Sequence, residues 1–113
     1  MTPDATASVP VLAPTGDLDL ATSRDLASRL AEMAGAPAGD AVLDLSGLRF
    51  IDSVGLGVVL KGVNRFSRQG KRLLLVVAPE GNIARLFDFA GTRERVTIVA
   101  SRDEALDLAT APR

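Results

Sequence analysis

Several residue types that carry much of protein chemistry are absent from this chain of 113 residues. It has no cysteine, histidine, tryptophan or tyrosine. Without cysteine there are no disulfides, thiol nucleophiles or thiolate metal sites, and without histidine a Ser-His-Asp triad and the common zinc sites are impossible. Carboxylates, arginines and the lysines Lys61 and Lys71 remain for acid–base work. An enzyme is not excluded, but the usual catalytic groups are missing.

The sequence also has neither a large excess of one sign of charge nor a long apolar run. The net charge is −1 and the basic residues are scattered, so the sequence indicates no basic surface for nucleic acid. The longest apolar run is the six residues 73–78, far shorter than a bilayer span. Residues 1–6 lack the basic and apolar regions of a signal peptide. We therefore predict a cytoplasmic protein that binds neither nucleic acid nor membrane.

Apolar residues are plentiful enough to form a packed core. They make up 47 % of the sequence, and the length is typical of one domain. Short aliphatic segments alternate with segments of helical periodicity, which predicts an α/β fold. The near-continuous aliphatic segment at 71–78 indicates a strand covered on both faces. Strands are predicted at 9–13, 41–46, 71–78 and 96–100, and helices around the apolar positions of 26–33, 56–63, 83–90 and 105–108.

Local signals mark the ends of these elements. Residues 1–8 are small and polar with a proline, so we predict a flexible N-terminus there and a domain at 9–110. Pro10 and Pro14 confine the first strand to a sheet edge or a strand end. The segment 16–19 is typical of a turn that leads into the first helix. N-terminal caps are predicted at Asp19 or Thr22 for the first helix and at Ser101, in a capping box with Glu104, for the last. Gly70 and Gly91 are predicted to end the second and third helices.

The segment 42–60 is the most informative part of the chain. It is typical of a buried strand, a short loop and the start of an amphipathic helix, with Ser53 at the junction between Asp52 and the glycines Gly55 and Gly57. Free backbone N–H groups and the helix dipole at such a start can hold a phosphoryl group. Each glycine lowers the stability of the helix by roughly 1 kcal/mol through its low helix propensity. Glycines at this place are explained if another group has to approach the helix backbone closely. The alternative interpretation is structural, with Ser53 as an N-cap and the glycines as packing contacts.

This segment resembles the signature of the STAS domain of bacterial anti-sigma factor antagonists. The match is an Asp-Ser-x-Gly-Leu run at 52–56, with the aromatic Phe50 two positions before the aspartate. Segments similar to other family patterns follow the same order along the chain, at 16–19, 42–46, 70–73 and 85–91. The resemblance implies a STAS-like single α/β domain, with a mixed four- to five-stranded sheet and about four helices.

The sequence departs from the family pattern in two places. The segment before Gly16 is short and contains prolines, which puts the family's N-terminal strand pair in doubt. Position 54 is valine where several relatives have a second hydroxyl. Ser53 is therefore the only candidate phosphoacceptor in the loop.

The resemblance also implies a function. The chain is expected to bind an anti-sigma factor with a histidine-kinase-like ATPase fold and so to release a sigma factor. That partner, acting as a serine kinase, is expected to phosphorylate Ser53 and end the interaction, and a serine phosphatase to reverse it. No cofactor, metal or catalytic activity is implied. The partner-binding residues implied are Asp19, Asp52, Ser53, Val54, Gly55, Leu56 and Arg85.

Several candidate residues have an ordinary structural explanation as well. Asp19 and Asp52 are equally well explained as helix caps, and Arg85 as an exposed arginine. Asp44, in an apolar strand, either supports the loop by hydrogen bonds or faces solvent at a sheet edge. Three aromatic residues are candidates for interface anchors or for the core, with the core favoured for at least two of them: Phe50, Phe87 and Phe89.

Two functions of other classes are compatible with the sequence. One is a scaffold or regulatory STAS module in a stress-signalling or lipid-transport complex. The other is an enzyme that uses Ser53 as a nucleophile. The missing histidine and the absence of a Gly-x-Ser-x-Gly elbow argue against the enzyme.

Overall fold

The computed structural model describes residues 4–6, 9–89 and 96–111. None of the helices in this part of the chain has the length and apolarity needed to cross a membrane. The strands are β1 (Asp4–Thr6), β2 (Val9–Leu12), β3 (Gly16–Leu18), β4 (Ala41–Asp44), β5 (Leu48–Ile51), β6 (Leu73–Val76) and β7 (Thr97–Val99). The helices are α1 (Leu20–Gly35), α2 (Ser53–Arg68), α3 (Asn82–Phe89) and α4 (Arg102–Thr110).

One mixed sheet contains five of the strands, in the order β1-β2-β4-β6-β7. β1 and β2 are antiparallel, whereas the other neighbours are parallel. Parallel neighbours cannot be joined by a tight turn, and the helices α1, α2 and α3 lie in the crossover connections. The predicted α/β class, the mixed sheet of up to five strands and the four helices are confirmed.

The N-terminal strand pair is present. Residues 4–6, within the segment predicted to be flexible, pair antiparallel with β2 and place Ala5 opposite Pro10. Small polar residues do not signal this pairing locally, and the flexible N-terminus at 1–8 and the domain bounds 9–110 stay predictions. Of the two positions that the prolines allowed for the first strand, the sheet edge is wrong because β1 and β4 flank β2, whereas Pro10 does lie near the end of that strand. The parallel register with β4 begins at Val11, after the proline that lacks a backbone N–H.

Alternate residues of the inner strands fill two apolar clusters, one on each face of the sheet. Leu43 and Leu75 belong to the cluster that also contains the buried residues of α1, α2 and α3. Val42 and Leu74 belong to the other cluster, which α4 covers with Ala105. The prediction that the aliphatic run at 71–78 is covered on both faces is confirmed.

β3 and β5 form a separate two-stranded parallel sheet that the sequence reasoning missed. Residues 16–18 were predicted as part of a turn and residues 48–51 as part of a loop. Each strand is too short to show a clear alternation, and it is stabilised by pairing with a strand about thirty residues away. Leu18 lies opposite Ile51, and both side chains are buried. This small sheet places the starts of α1 and α2 next to each other.

The predicted helix ends can be compared with the structure at most positions. Asp19 is the N-cap of α1, and Ser101 is the N-cap of α4, with its hydroxyl accepting from the N–H of Glu104 at 3.2 Å. Gly70 follows the end of α2 with a φ of 72°, a left-handed conformation that glycine adopts without strain. The prediction for Gly91 lies outside the described residues.

Candidate functional site

Two helix N-termini lie side by side at the ends of β3 and β5. The parallel pairing of these strands ends at Leu18 and Ile51, and the N–H of Asp52 donates to the carbonyl of Leu18 at 3.2 Å. α1 then begins at Leu20 and α2 at Ser53. Each helix start presents backbone N–H groups without an intrahelical acceptor, so this corner combines two partial positive charges.

Asp19 closes the start of α1 in a capping box with Thr22. Its carboxylate accepts from the N–H groups of Ala21 at 3.0 Å and Thr22 at 3.1 Å, and the Thr22 hydroxyl accepts from the N–H of Asp19 at 3.0 Å. The hydrogen bonds from the backbone and side chain of Thr22 lower the pKa of Asp19 below its ordinary value. The carboxylate is therefore negatively charged at neutral pH.

Asp52 is the N-cap of α2, and its carboxylate accepts from the N–H of Gly55 at 2.8 Å. The alternative interpretation of Ser53 as the N-cap is therefore wrong, because the preceding aspartate takes that role. Ser53 is instead the first residue of α2 and is exposed. Its hydroxyl has no hydrogen-bond partner among the described residues. Ser53 is accessible from solvent, and none of the described side chains accepts a hydrogen bond from its hydroxyl, as a base that activates a serine would.

Gly55 is buried where α2 begins to pack on the small sheet. A Cβ atom at this position would lie 2.8 Å from the carbonyl oxygen of Leu18 and 3.0 Å from Cγ1 of Ile51. Packing within the chain therefore explains this glycine, and its contact with a partner stays a prediction. At Gly57, one turn after Ser53, a Cβ atom would meet nothing within 4 Å. Packing does not explain the second glycine.

An open depression of about 680 Å³ lies between the two helix starts. Asp19 and Asp52, which the sequence proposed together as site residues, both line it. Both are helix caps and both line the depression, so the role as a cap is compatible with the predicted role in partner binding. The sequence reasoning missed three other lining residues, Leu20, Ala21 and Arg24. One available signal was Leu20, an apolar residue that does not share the helical face of the buried residues of α1.

Exposed apolar side chains stand around this corner. Leu20 is 60 % exposed, Phe50 52 % and Val54 43 %, which makes them three of the four exposed large apolar residues in the described part of the chain. We call these three residues the apolar rim. Phe50 is thus outside the core, while Phe87 is fully buried and the side chain of Phe89 lies outside the described residues. A patch of exposed apolar groups beside charged ones is typical of a surface that binds another protein.

The remaining predicted site residues lie farther from the depression. Leu56 is half-buried and packs against the main apolar cluster. Arg85 is exposed on α3, and this helix contacts β5, the strand that leads towards Ser53. Neither residue lines the depression between the helix starts.

Asp44 supports the loop that leads into the site. It lies at the carboxyl end of β4, the central strand, and is only 6 % exposed, so the interpretation as a solvent-facing edge residue is wrong. One carboxylate oxygen accepts from the N–H of Ser46 at 2.9 Å and from its hydroxyl at 2.6 Å. The other accepts from Nε of Arg102 at 3.0 Å. Burial by itself raises the pKa of Asp44, but the hydrogen bonds from Ser46 and Arg102 outweigh it and leave the pKa below its ordinary value.

The lowered pKa of Asp44 predicts a contribution to stability that depends on pH. The contribution is complete above the ordinary carboxyl pKa and is lost as the pH falls through the lowered value. Asp44→Asn is expected to lower the free energy of unfolding by about 1 kcal/mol at neutral pH, because a neutral acceptor replaces a charged one. Urea unfolding across acid pH should show a shallower pH dependence in this variant. Glu80→Gln removes an exposed carboxylate as the control, and parallel curves for Asp44→Asn and the wild type would contradict the prediction.

The described residues contain no group of three or more acidic side chains placed to hold a metal ion. What the corner offers is an exposed hydroxyl at a helix start, two capping carboxylates, one arginine and an apolar rim. These groups suit recognition and covalent modification of the surface.

A family model and several solved structures match this chain over nearly its whole length. A family model described as "Mlab, STAS domain" matches residues 1–109. A search of curated protein sequences gives no significant match. Among solved structures, a protein from Thermotoga maritima described as an anti-sigma factor antagonist has a TM-score of 0.87 and 21 % identity, covering 97 % of this chain and 94 % of that one.

Two further solved structures share the fold. Unphosphorylated SpoIIAA, described as an anti-sigma factor antagonist, has a TM-score of 0.76 and 19 % identity, with 98 % of each chain covered. A murine Slc26a9 anion transporter has a TM-score of 0.77 and 21 % identity, covering 95 % of this chain but only 18 % of the transporter. The same fold therefore occurs both as a whole small protein and as one part of a large one.

Proposed function

The chain belongs to the STAS domain family, and on that basis we propose that it is an anti-sigma factor antagonist. In its unmodified form it binds an anti-sigma factor with a histidine-kinase-like ATPase fold and so releases a sigma factor. The anti-sigma factor acts as a serine kinase on Ser53, and the phosphorylated form no longer binds. A serine phosphatase restores the unmodified form. The protein is proposed to act in the cytoplasm and to have no catalytic activity of its own.

The observation that carries this proposal is the position of Ser53. Its hydroxyl is exposed at the start of α2, next to a depression with the two N-cap aspartates and beside the apolar rim. A kinase needs an accessible hydroxyl, and a protein partner gains affinity by covering exposed apolar groups. One partner surface that covers the rim therefore lies over the hydroxyl that it modifies.

Ser53 is expected to be the only residue phosphorylated by such a partner. The hydroxyl of Thr22 donates to the carbonyl of Asp17 at 2.9 Å, and that of Ser46 donates to Asp44 at 2.6 Å, so both are engaged within the fold. Incubation with a purified anti-sigma factor kinase and ATP, followed by intact mass and phosphopeptide mapping, measures the site. Ser53→Ala is the matched control and should gain no phosphate. Phosphate on another residue, with Ser53 unmodified, would refute the assignment.

A second candidate function is a regulatory or scaffold module of a larger assembly, with no sigma factor involved. The observation in its favour is the similarity to one part of the anion transporter. The two functions predict different partners, so the neighbouring genes discriminate between them. A gene for a histidine-kinase-like ATPase favours the antagonist, and a transporter operon favours the module. Co-elution of the purified chain with one of these products then tests the choice directly.

An enzyme with Ser53 as its nucleophile is the weakest alternative. The chain has no histidine, and no described residue forms a hydrogen bond with the Ser53 hydroxyl. A serine nucleophile requires an adjacent base to take its proton. We therefore propose a binding function for this corner of the molecule.

A further inference from the structure

Arg24 is the one basic residue among those that line the depression, which reaches Ser53 through its neighbour Asp52. It lies in the second turn of α1, is exposed, and borders the same depression as Asp19 and Asp52. Although two carboxylates border that depression, Arg24 has no ion-pair partner among the described residues. Its guanidinium is therefore available to a further anionic group.

Phosphorylation at the start of α2 changes the charge balance of this corner. The unmodified depression carries one positive and two negative side chains. A phosphoserine adds roughly −1.5 to −2 charges at neutral pH. The helix start supplies backbone N–H donors, but the nearby carboxylates of Asp19 and Asp52 repel a phosphate. A guanidinium at the same depression offsets this repulsion and offers several planar donors to phosphate oxygens.

We propose that Arg24 is the intramolecular partner of the phosphate when Ser53 is phosphorylated. The inference rests on the proposed phosphorylation of Ser53 and assigns a regulatory role to a residue outside the sequence motif. The long side chain on α1 swings over the depression and forms a charge-assisted hydrogen bond with the phosphate at the start of α2. The modified form is thereby held in the existing backbone conformation, and the phosphate occupies the surface that the partner needs.

The test uses protein with phosphoserine installed at position 53 during translation, so that no kinase is required. The second pKa of the phosphoserine, about 6 in the absence of neighbours, is measured by ³¹P NMR titration. A guanidinium near an exposed phosphate stabilises the dianion, and ion pairs of this kind shift a pKa by about half a unit. The phosphoserine pKa should therefore rise by about half a unit in Arg24→Gln, and Arg24→Lys should restore most of the wild-type value.

Arg68→Gln provides the matched control for charge. This exposed arginine lies on the same helix as Ser53, fifteen residues further along. That separation is about 22 Å along a helix, well beyond the screening length at physiological salt. The control should leave the phosphoserine pKa within about 0.1 unit of the wild type at that distance. The effect of Arg24→Gln should also disappear at about 1 M salt, where exposed ion pairs are screened.

A phosphoserine pKa that rises in Arg24→Gln and not in Arg68→Gln would support the proposal. Equal pKa values in the wild type and Arg24→Gln, or an equal shift in Arg68→Gln, would overturn it. Circular dichroism confirms that each exposed-arginine variant is folded before titration. Failure of any kinase to modify Ser53 would refute the proposed function but would leave a measured pKa shift standing, so the two failures are distinguishable.

Discussion

Phosphorylation of Ser53 is expected to weaken binding to the anti-sigma factor by about 100-fold or more, which corresponds to roughly 3 kcal/mol. The phosphate would repel an acidic group on the partner surface. Two unit charges about 5 Å apart interact by about 3 kcal/mol at an effective dielectric constant near 20, and the phosphate carries more than one charge. The exposed apolar rim indicates that a partner covers this corner closely. The dianion would then also lose water, which adds to the cost of binding.

Substitutions at position 53 should separate the effect of side-chain charge on partner affinity from the effect of side-chain shape. Ser53→Ala is expected to bind like the wild type and to escape the switch. Ser53→Asp carries about half of the phosphate charge, so its affinity should fall by roughly tenfold. Ser67→Asp is the matched control, because it makes the same change at an exposed serine of α2 that lies about 21 Å away along the helix. Calorimetry with the purified partner measures all three, and unchanged affinity for Ser53→Asp would contradict an electrostatic switch.

The fold should survive this modification nearly unchanged. An acidic group in the first turn of a helix interacts favourably with the helix dipole, so neither phosphoserine nor aspartate at position 53 should unfold α2. NMR spectra of the two forms are expected to differ near residues 50–57 and 16–20, the two segments that the small sheet joins. Shifts spread throughout the five-stranded sheet would show that the switch is conformational instead.

Gly55→Ala is expected to lower the free energy of unfolding by about 2 kcal/mol, because it overpacks a closed position. The new methyl group would lie 2.8 Å from the carbonyl oxygen of Leu18 and 2.9 Å from Cγ of the same residue. A backbone carbonyl cannot rotate away as a flexible side chain can. The start of α2 must therefore move away from β3, and Ser53 moves with it.

Gly57→Ala is the matched control, two residues further along the same helix. A Cβ atom there meets nothing within 4 Å, so the substitution should stabilise the protein by up to about 1 kcal/mol through helix propensity alone. The two variants should thus differ by about 3 kcal/mol in urea unfolding although they make the same chemical change. Equal free energies of unfolding would contradict the tight contact at Gly55. A loss of partner affinity in a stable Gly57→Ala variant would in turn indicate close approach of the partner to this part of α2.

The four helices and the strands of the five-stranded sheet from β2 onwards could be predicted from local patterns of residues. The reason is local: the aliphatic run of β6 has to be covered on both faces, and the spacing of Leu26, Leu30 and Met33 forms one helical face. The sequence also placed Ser53 at a helix start, because Asp52 and Ser53 directly precede a segment of apolar residues at helical spacing. Asp19 was recognised as a possible cap because it lies just before the segment of helical periodicity that forms α1.

The assembly of the candidate site depends on contacts between distant parts of the chain. None of β1, β3 and β5 is a continuous aliphatic run, and each pairs with a strand elsewhere in the chain, so their local patterns do not reveal them. The pairing of β3 with β5 brings Asp19 and Arg24 beside Asp52, and a contact between residues 58 positions apart joins Asp44 to Arg102. Local propensity carries no information about such distant pairs. The hydroxyl was therefore visible in the sequence, whereas its charged and apolar surroundings were created by packing.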